Sequence, residues 1–163
     1  MTKAFYRADT FEARRSLGYL VRRLHNLTGQ HAEALFADAD VTFPQWVVLM
    51  GVRDGIANTC GEIARHLDYD TGATTRLVDH LEERGYLRRH RSTSDRRVVH
   101  LEVTPAGKAL AKSAMPHLIN FWNKVLEGFS QDEASQLISL LTRLIARVEA
   151  QPVETMKPVK APK

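Results

Sequence analysis

The sequence predicts a mainly α fold with one small β-hairpin, and three observations support this prediction. Helix-start signals recur, each with a capping side chain three residues before an acidic or amide one: Asp9 with Glu12, Thr42 with Gln45, Thr59 with Glu62, and Ser130 with Glu133. Apolar residues recur at three- and four-residue steps near both ends of the chain, which is the helical period. Residues 98–103 are rich in β-branched side chains and follow a basic turn, which is typical of a strand after a hairpin loop.

The elements follow in order from these signals. A first long helix is expected from about Phe11 to about Phe36, with an apolar stripe formed by Leu17, Leu20, Val21, Leu24, Leu27 and Leu35. Three shorter helices are expected over residues 44–53, 60–67 and 70–84, followed by strands over 86–90 and 98–103. The last two helices are expected over 105–129, with a bend at Pro116, and over 131–150.

Composition limits the class of protein. The chain has 163 residues, 44% of them apolar, which is enough for one domain. Its single cysteine, Cys60, excludes an internal disulfide and any zinc module built from several cysteines. The sequence shows no secretory signal and no apolar stretch long enough to span a bilayer, so we expect a cytoplasmic protein with no membrane partner. Residues 151–163 are rich in proline and lysine, and we expect them to form a disordered tail.

The segment from Arg84 to Arg97 carries six arginines against one aspartate, between a predicted helix and a predicted strand. The net charge of the whole chain is only +4, so the positive charge is concentrated in this basic hairpin. Planar guanidinium groups bind phosphate oxygens and the negative floor of a DNA groove. The segment therefore favours a nucleic-acid partner over a charged turn that serves only solubility.

The two helices before the basic hairpin are joined by the short turn 68–70, as in a helix-turn-helix. Stepping 100° per residue along the second helix assigns these residues to the core face: Ala73, Leu77, Val78 and Leu81. The opposite face presents small and polar residues that suit entry into a DNA major groove: Thr71, Gly72, Thr75, Arg76 and Asp79. We predict that Thr75 and Arg76 contact bases and that Asp79 orients Arg76. Ordinary solvated helix residues would give the same pattern, and the adjacent basic hairpin is what favours DNA.

Several stretches, taken together over roughly residues 11–148, resemble the MarR family of winged-helix transcriptional regulators. They are residues 45–49, 62–67, 75–87, 94–97 (Ser-Asp-Arg-Arg) and 101–107. The resemblance implies a winged helix-turn-helix lobe over 41–104. It also implies a dimerisation region formed by the N-terminal helix, within 1–40, and the C-terminal helices, within 105–150.

By this resemblance the protein is a homodimer whose two lobes bind a near-palindromic operator in double-stranded DNA. An apolar stripe over 137–148 supports a dimer, although packing within one chain is the alternative. The residues predicted to contact DNA are Thr71, Gly72, Thr74, Thr75, Arg76, Arg91, Ser94, Asp95, Arg96 and Arg97. Arg96 or Arg97 is expected to enter the minor groove, and Asp95 to pair with an arginine and fix the loop.

Members of the family commonly repress genes and release DNA when a small aromatic acid binds, and the resemblance implies the same here. Carried over by position, the ligand-binding residues are Arg15, Tyr19, Arg23, Phe43 and Trp46. An aromatic surface beside a guanidinium suits a flat carboxylate. Phe43 and Trp46 are equally well explained as core residues, so that alternative stays open.

Two other DNA-binding functions stay open. One is an architectural protein that binds many DNA sequences and needs no ligand. The other is an oxidant-sensing regulator that uses Cys60. An enzyme is not expected, because the chain has no phosphate-binding glycine loop, no Gly-x-Ser-x-Gly and no His-Glu-x-x-His motif. The seven histidines show no paired spacing along the sequence, so we predict neither a metal site nor a cofactor. A metal site assembled from distant segments of the chain stays open as an alternative.

Overall fold

The structure, a computed structural model, describes residues 4–95 and 97–151. Within them a 3₁₀ turn, Ala13–Arg15, precedes the elements α1 (Leu17–Leu35), α2 (Phe43–Arg53), α3 (Cys60–Leu67), α4 (Thr71–Glu83), β1 (Leu87–Arg91), β2 (Val99–Val103), α5 (Pro105–Val125) and α6 (Gln131–Glu149). The predicted mainly α fold with one small β-hairpin is confirmed. Apart from Gln151, the predicted tail lies outside the described residues. No helix in the described ranges is both long and apolar enough to cross a membrane.

Three of the predicted helix starts are confirmed as capping boxes. The side chains of Thr42, Thr59 and Ser130 each accept a hydrogen bond from the backbone N–H three residues on, and the side chain at that later position bonds back. Each box pairs backbone N–H groups that the first turn of a helix leaves free. These local pairings fix where α2, α3 and α6 begin, because an N-cap of this kind contributes about 1 kcal/mol.

The predicted start of the first helix at Asp9 is wrong. The Asp9 carboxylate pairs with Arg7 at 2.9 Å, and α1 begins only after Ser16. Ser16 Oγ accepts a hydrogen bond from Tyr19 N at 3.3 Å and so caps the helix. The spacing of Asp9 and Glu12 therefore resembles a capping box at a place where the chain takes a turn.

The described residues up to 119 form one compact unit. In this unit α2 contacts α4 and β2, and α4 contacts α3 and β1. The most deeply buried large side chains are Val48, Leu49, Ile63, Thr74, Val78, Leu81 and Leu87. Burying apolar area stabilises such a core by about 25 cal/mol per Å². This packing fixes α3, α4 and the hairpin relative to one another.

A second unit begins at Asn120 and contains α6. None of the residues of α6 is buried within the single chain. Its most exposed large apolar side chains are Leu137, Ile138, Leu140, Ile145 and Val148. The predicted apolar stripe is therefore present, and it faces solvent in one isolated chain.

The two strands pair antiparallel, and their register separates the hairpin into two faces. Leu87 pairs with Val103, and Arg89 pairs with Leu101. Leu87, Leu101 and Val103 are buried, so this face belongs to the core. The residues between them lie on the outer face and pair as Arg88 with Glu102 and His90 with His100.

Thr104 joins the end of β2 to the turn before β1. Its hydroxyl donates a hydrogen bond to Gly85 O at 2.6 Å and accepts one from Gly107 N at 3.1 Å. Gly85 has a φ of 72°, a left-handed conformation that favours glycine. A Cβ at Gly107 would overlap the carbonyl oxygen of Tyr86, so only glycine fits at this point of α5.

Candidate nucleic-acid interface

The start of α4 is built by Asp70 and Gly72. Asp70 Oδ1 accepts a hydrogen bond from Ala73 N at 2.9 Å and caps the helix. A Cβ at Gly72 would lie 3.1 Å from that same carboxylate oxygen, a tight contact that glycine avoids. Gly72 therefore leaves the first turn of α4 without a side chain at this position, and the positive end of the helix dipole there favours an anion.

The exposed face of α4 carries the polar residues that the sequence predicted. Thr71, Gly72, Thr75 and Arg76 are all exposed. The Thr75 hydroxyl donates to Thr71 O at 2.9 Å, which leaves its oxygen lone pairs free to accept a hydrogen bond. Arg76 forms no ion pair with a carboxylate of the described residues, so its guanidinium is free for a base edge or a phosphate.

The prediction of a DNA-contacting side chain at Thr74 is wrong. Thr74 is fully buried, and its hydroxyl donates to Asp70 O at 3.0 Å. Ala73, which was expected in the core, is exposed instead. In the first turn of α4 the buried position is therefore one residue later than predicted. Val78 and Leu81 lie in the core as predicted.

Asp79 does not orient Arg76 as expected, because it pairs with Arg89 of β1. Arg89 Nη2 donates to Asp79 Oδ1 at 2.6 Å, and Arg89 Nη1 donates to Glu82 Oε2 at 2.5 Å. Glu82 Oε1 also accepts a hydrogen bond from Arg89 N at 2.9 Å. Burial by itself would lower the pKa of Arg89, but these hydrogen bonds and one with the half-buried Cys60 raise it above its ordinary value. The Arg89 network, which is Arg89, Asp79 and Glu82, thus ties the hairpin to α4.

The basic hairpin is less free than its arginine content suggests. Arg84 pairs with Asp40, Arg88 with Glu102 at 2.7 Å, and Arg89 with the α4 carboxylates. Tyr86 also donates its hydroxyl to Asp40, and this bond and the one from Arg84 hold the pKa of Asp40 below its ordinary value. Of the described arginines in the segment, Arg91 and Arg97 have no carboxylate partner in the described part of the chain. Arg96, a predicted DNA contact, lies outside the described residues.

The loop between the strands is shaped by side chains that bond to its own backbone. Ser92 Oγ accepts hydrogen bonds from the backbone N–H groups of Ser94 and Asp95, both at 3.3 Å. Asp95 Oδ1 accepts from Arg97 N at 3.0 Å. Asp95 therefore helps to shape the loop by accepting from a backbone N–H. Its predicted pairing with an arginine side chain stays a prediction, because Arg96 lies outside the described residues. The role of Ser92 was missed, although serine hydroxyls often bond to the backbone a few residues later in turns.

The start of α3 lies next to β2 and is held by Glu62. Its carboxylate accepts from Asn58 N at 2.9 Å and from Thr59 N at 3.2 Å. The bond from Asn58 has the largest effect on Glu62, and together these bonds keep its pKa below the ordinary value although burial would raise it. Asn58 O in turn accepts from Leu101 N at 2.7 Å, so the turn before α3 is bonded to β2.

The residues carried over as ligand contacts lie at three places. Tyr19 and Arg23 line one cleft of about 250 Å³ along α1. Arg15 lines a second cleft, with residues of the segment before α1. Phe43 and Trp46 stack with ring centroids 6.2 Å apart and pack against the core of the compact unit. The structure thus brings together Tyr19 with Arg23, and Phe43 with Trp46.

The described residues hold no group of three or more metal-ligating side chains.

Comparison with known sequences identifies a matching family and several similar proteins. A profile described as MarR family matches residues 41–99, which contain α2, α3, α4 and β1. The transcriptional repressor MprA of Escherichia coli K12 is 32% identical over 75 residues, which are 46% of this chain and 43% of MprA. The chain therefore matches less than half the length of that relative.

Two comparisons extend over most of the chain. The multiple antibiotic resistance protein MarR of Escherichia coli K12 is 25% identical over 141 residues, which are 85% of this chain and 96% of MarR. A solved structure of mutant MarR from E. coli complexed with operator DNA is 25% identical, with a TM-score of 0.70. The superposition covers 84% of this chain and 99% of that one. The likeness therefore includes the helices that flank the 41–99 segment.

Proposed function

Because residues 41–99 place this chain in the MarR family of winged-helix proteins, we propose that it is a transcriptional regulator that binds double-stranded DNA sequence-specifically. The observation that carries the proposal is the exposed face of α4, where Thr75 keeps lone pairs that can accept a hydrogen bond and Arg76 has no carboxylate partner among the described residues. The hairpin follows this helix directly, and its Arg91 and Arg97 have no carboxylate partner within residues 4–95 and 97–151. The E. coli MarR complex with operator DNA supports the same use of the lobe.

In the proposed complex α4 lies in the major groove and the hairpin loop lies over the adjacent minor groove. Arg76 binds guanine or a phosphate, and Thr75 bonds a base edge or the backbone. Because Gly72 has no side chain, a phosphate can approach the first turn near the helix N-terminus. Arg91 and Arg97 supply charge to the backbone and to a narrow minor groove. Base contacts from α4 give specificity, and phosphate contacts from the loop give affinity.

The DNA-binding form is proposed to be a homodimer on a near-palindromic operator. α1 exposes a row of large apolar side chains: Leu17, Leu20, Val21, Leu24 and Leu27. α6 exposes its own apolar stripe, as described above. Apolar faces of this length are normally covered by another chain. Two lobes related by a two-fold axis would then bind half-sites about one helical turn apart.

We further propose that a small aromatic carboxylate releases the protein from DNA, so that it acts as a repressor. The cleft along α1 supports this, because Tyr19 provides an aromatic surface while Arg22 and Arg23 provide guanidinium groups. To lower DNA affinity a hundredfold, the ligand must favour the non-binding arrangement by about 3 kcal/mol. Arg23→Ala is expected to abolish release while leaving DNA affinity unchanged.

The experiment that tests the proposal is selection of bound duplexes from a random pool, followed by titration with aromatic carboxylates at fixed salt. Enrichment of one near-palindromic site is expected, together with its release by one compound. Arg76→Ala should relax specificity at one base pair of each half-site and cost about 1–3 kcal/mol. Arg97→Ala should weaken all duplexes similarly and reduce the salt dependence by about one counterion.

The matched control is Arg53→Ala, because Arg53 is an arginine at the end of α2 paired with its neighbour Asp54. It should leave affinity and specificity unchanged. Strong binding with no enriched sequence would contradict sequence-specific regulation and favour an architectural protein. If an oxidant and no carboxylate released the DNA, and Cys60→Ser abolished this release, the proposed carboxylate effector would be wrong and oxidant sensing would be favoured.

A further inference from the structure

Two histidines face each other on the outer side of the hairpin. His90 of β1 and His100 of β2 are directly opposite in the strand register. Their ring centroids are 5.5 Å apart and the ring planes are inclined by 39°. The two residues are ten positions apart in the chain, so their sequence spacing gives no sign of a pair. The antiparallel register alone brings the two imidazoles together.

The orientation of one ring is fixed from outside the hairpin. His100 Nδ1 lies 3.3 Å from the side-chain oxygen of Asn58. An amide oxygen can only accept a hydrogen bond, so in the neutral form of the ring this contact places the proton on Nδ1 and leaves the lone pair on Nε2. Asn58 is itself held by Leu101 and Glu62 through its backbone. An outer partner that sets the tautomer in this way is typical of histidines that ligate metals.

We propose that His90 and His100 form a binding site for a divalent transition-metal ion of the zinc, nickel or copper type. Imidazole nitrogen is a preferred ligand of these three ions. A tetrahedral zinc ion bonded to two imidazole nitrogens at about 2.0 Å holds the ring centroids about 5 Å apart, close to the separation found here. The strand register already places the two imidazoles side by side on the outer face of the hairpin.

The surroundings of the pair set its character. Glu102 lies on the same face, and its carboxylate is bonded to Arg88 at 2.7 Å, so it is not free to ligate the ion. The described residues provide no cluster of three ligand side chains, so two imidazoles bind the ion and water completes its shell. A bound ion would connect β1 to β2 just before the loop that carries Arg97. The hairpin would then resist opening.

The test uses purified full-length protein without a histidine tag and without DNA, so its outcome is independent of the proposed function. Zn²⁺ binding is measured by competition with a chromophoric chelator, and Cu²⁺ is used to count nitrogen ligands by electron paramagnetic resonance. We expect one Zn²⁺ per chain, a Cu²⁺ spectrum with two nitrogen ligands, and a higher Tm with Zn²⁺. His90→Gln and His100→Gln should each weaken Zn²⁺ binding at least tenfold and abolish the rise in Tm.

Two further variants separate this site from other histidines. His66→Gln removes an exposed histidine of α3 and should leave Zn²⁺ affinity unchanged. Asn58→Asp replaces the amide oxygen with a carboxylate, which makes His100 a more basic ligand and should raise the affinity. Unchanged affinity in His90→Gln, in a variant whose circular dichroism shows a folded chain, would overturn the proposal. So would a loss of binding in His66→Gln.

Discussion

Arg89→Met removes the guanidinium of the Arg89 network while keeping most of the aliphatic stem. The lost contacts are the 2.6 Å bond to Asp79, the 2.5 Å bond to Glu82 and the hydrogen bond with Cys60. Hydrogen bonds between charged groups contribute about 1.5–3 kcal/mol each where they are buried. The Arg89 side chain is 26% exposed, but those of Asp79 and Glu82 are 47% and 37% exposed, and solvent screens the pairs.

The expected loss for Arg89→Met is therefore about 1–2 kcal/mol in total, well below the sum for two buried bonds. Glu82 keeps its bond to the backbone N–H at position 89, which also limits the loss. The free energy of unfolding is measured by urea denaturation at one fixed protein concentration, since a dimer's stability depends on it. The Tm should fall by about 2–8 °C.

The matched control is Arg88→Met, which breaks the adjacent ion pair of the same strand. Arg88 and Glu102 are 65% and 48% exposed, so this pair should add nothing measurable to stability. A double-mutant cycle with Asp79→Asn isolates the coupling between Asp79 and Arg89. Equal losses in Arg88→Met and Arg89→Met, or no coupling in the cycle, would refute the reasoning that the Arg89 network holds the hairpin on α4.

Three further outcomes are expected. Gly107→Ala should destabilise the fold by about 1–3 kcal/mol, because its Cβ overlaps backbone, whereas Gly61→Ala, with open space around it, should not; urea denaturation compares them. Asp70→Ala removes the cap of α4 and should cost about 1 kcal/mol in the same assay. The bond from Asn58 keeps the pKa of Glu62 below 4.5 in the folded state. The ionised Glu62 carboxylate therefore contributes fully to the free energy of unfolding above pH 4.5, and this contribution is lost as the pH falls through the lowered pKa. Stability in acid should thus depend less on pH in Glu62→Gln than in the original chain, and an identical pH profile would contradict this.

Local signals in the sequence predicted the elements well. The starts of α2, α3 and α6 depend on side chains only three residues apart, so the sequence contains the whole interaction. The helix start predicted from the same spacing at Asp9 was wrong, because Arg7 pairs with the Asp9 carboxylate. At the first turn of α4, alanine and threonine are similar in size, and periodicity could not decide that Thr74 is the buried one.

Interactions between distant residues could not be predicted from the sequence. Arg84 is paired with Asp40, which is 44 positions away, and the count of arginines in the basic hairpin could not show this. Asp79 was expected to bind Arg76, its neighbour in sequence, but it binds Arg89 because β1 packs against α4. The pairing of His90 with His100 depends on a strand register that no sequence motif records.

The central proposal, that the exposed face of α4 reads a DNA sequence, is tested most directly by a ratio of two affinities. The affinity for a selected duplex is compared with that for a scrambled duplex of equal length and composition, at one salt concentration. We predict a ratio of about a thousand or more for the original chain. Arg76→Ala should reduce this ratio, and Arg97→Ala should weaken both affinities and leave the ratio unchanged. A ratio near one for the original chain would contradict the proposal.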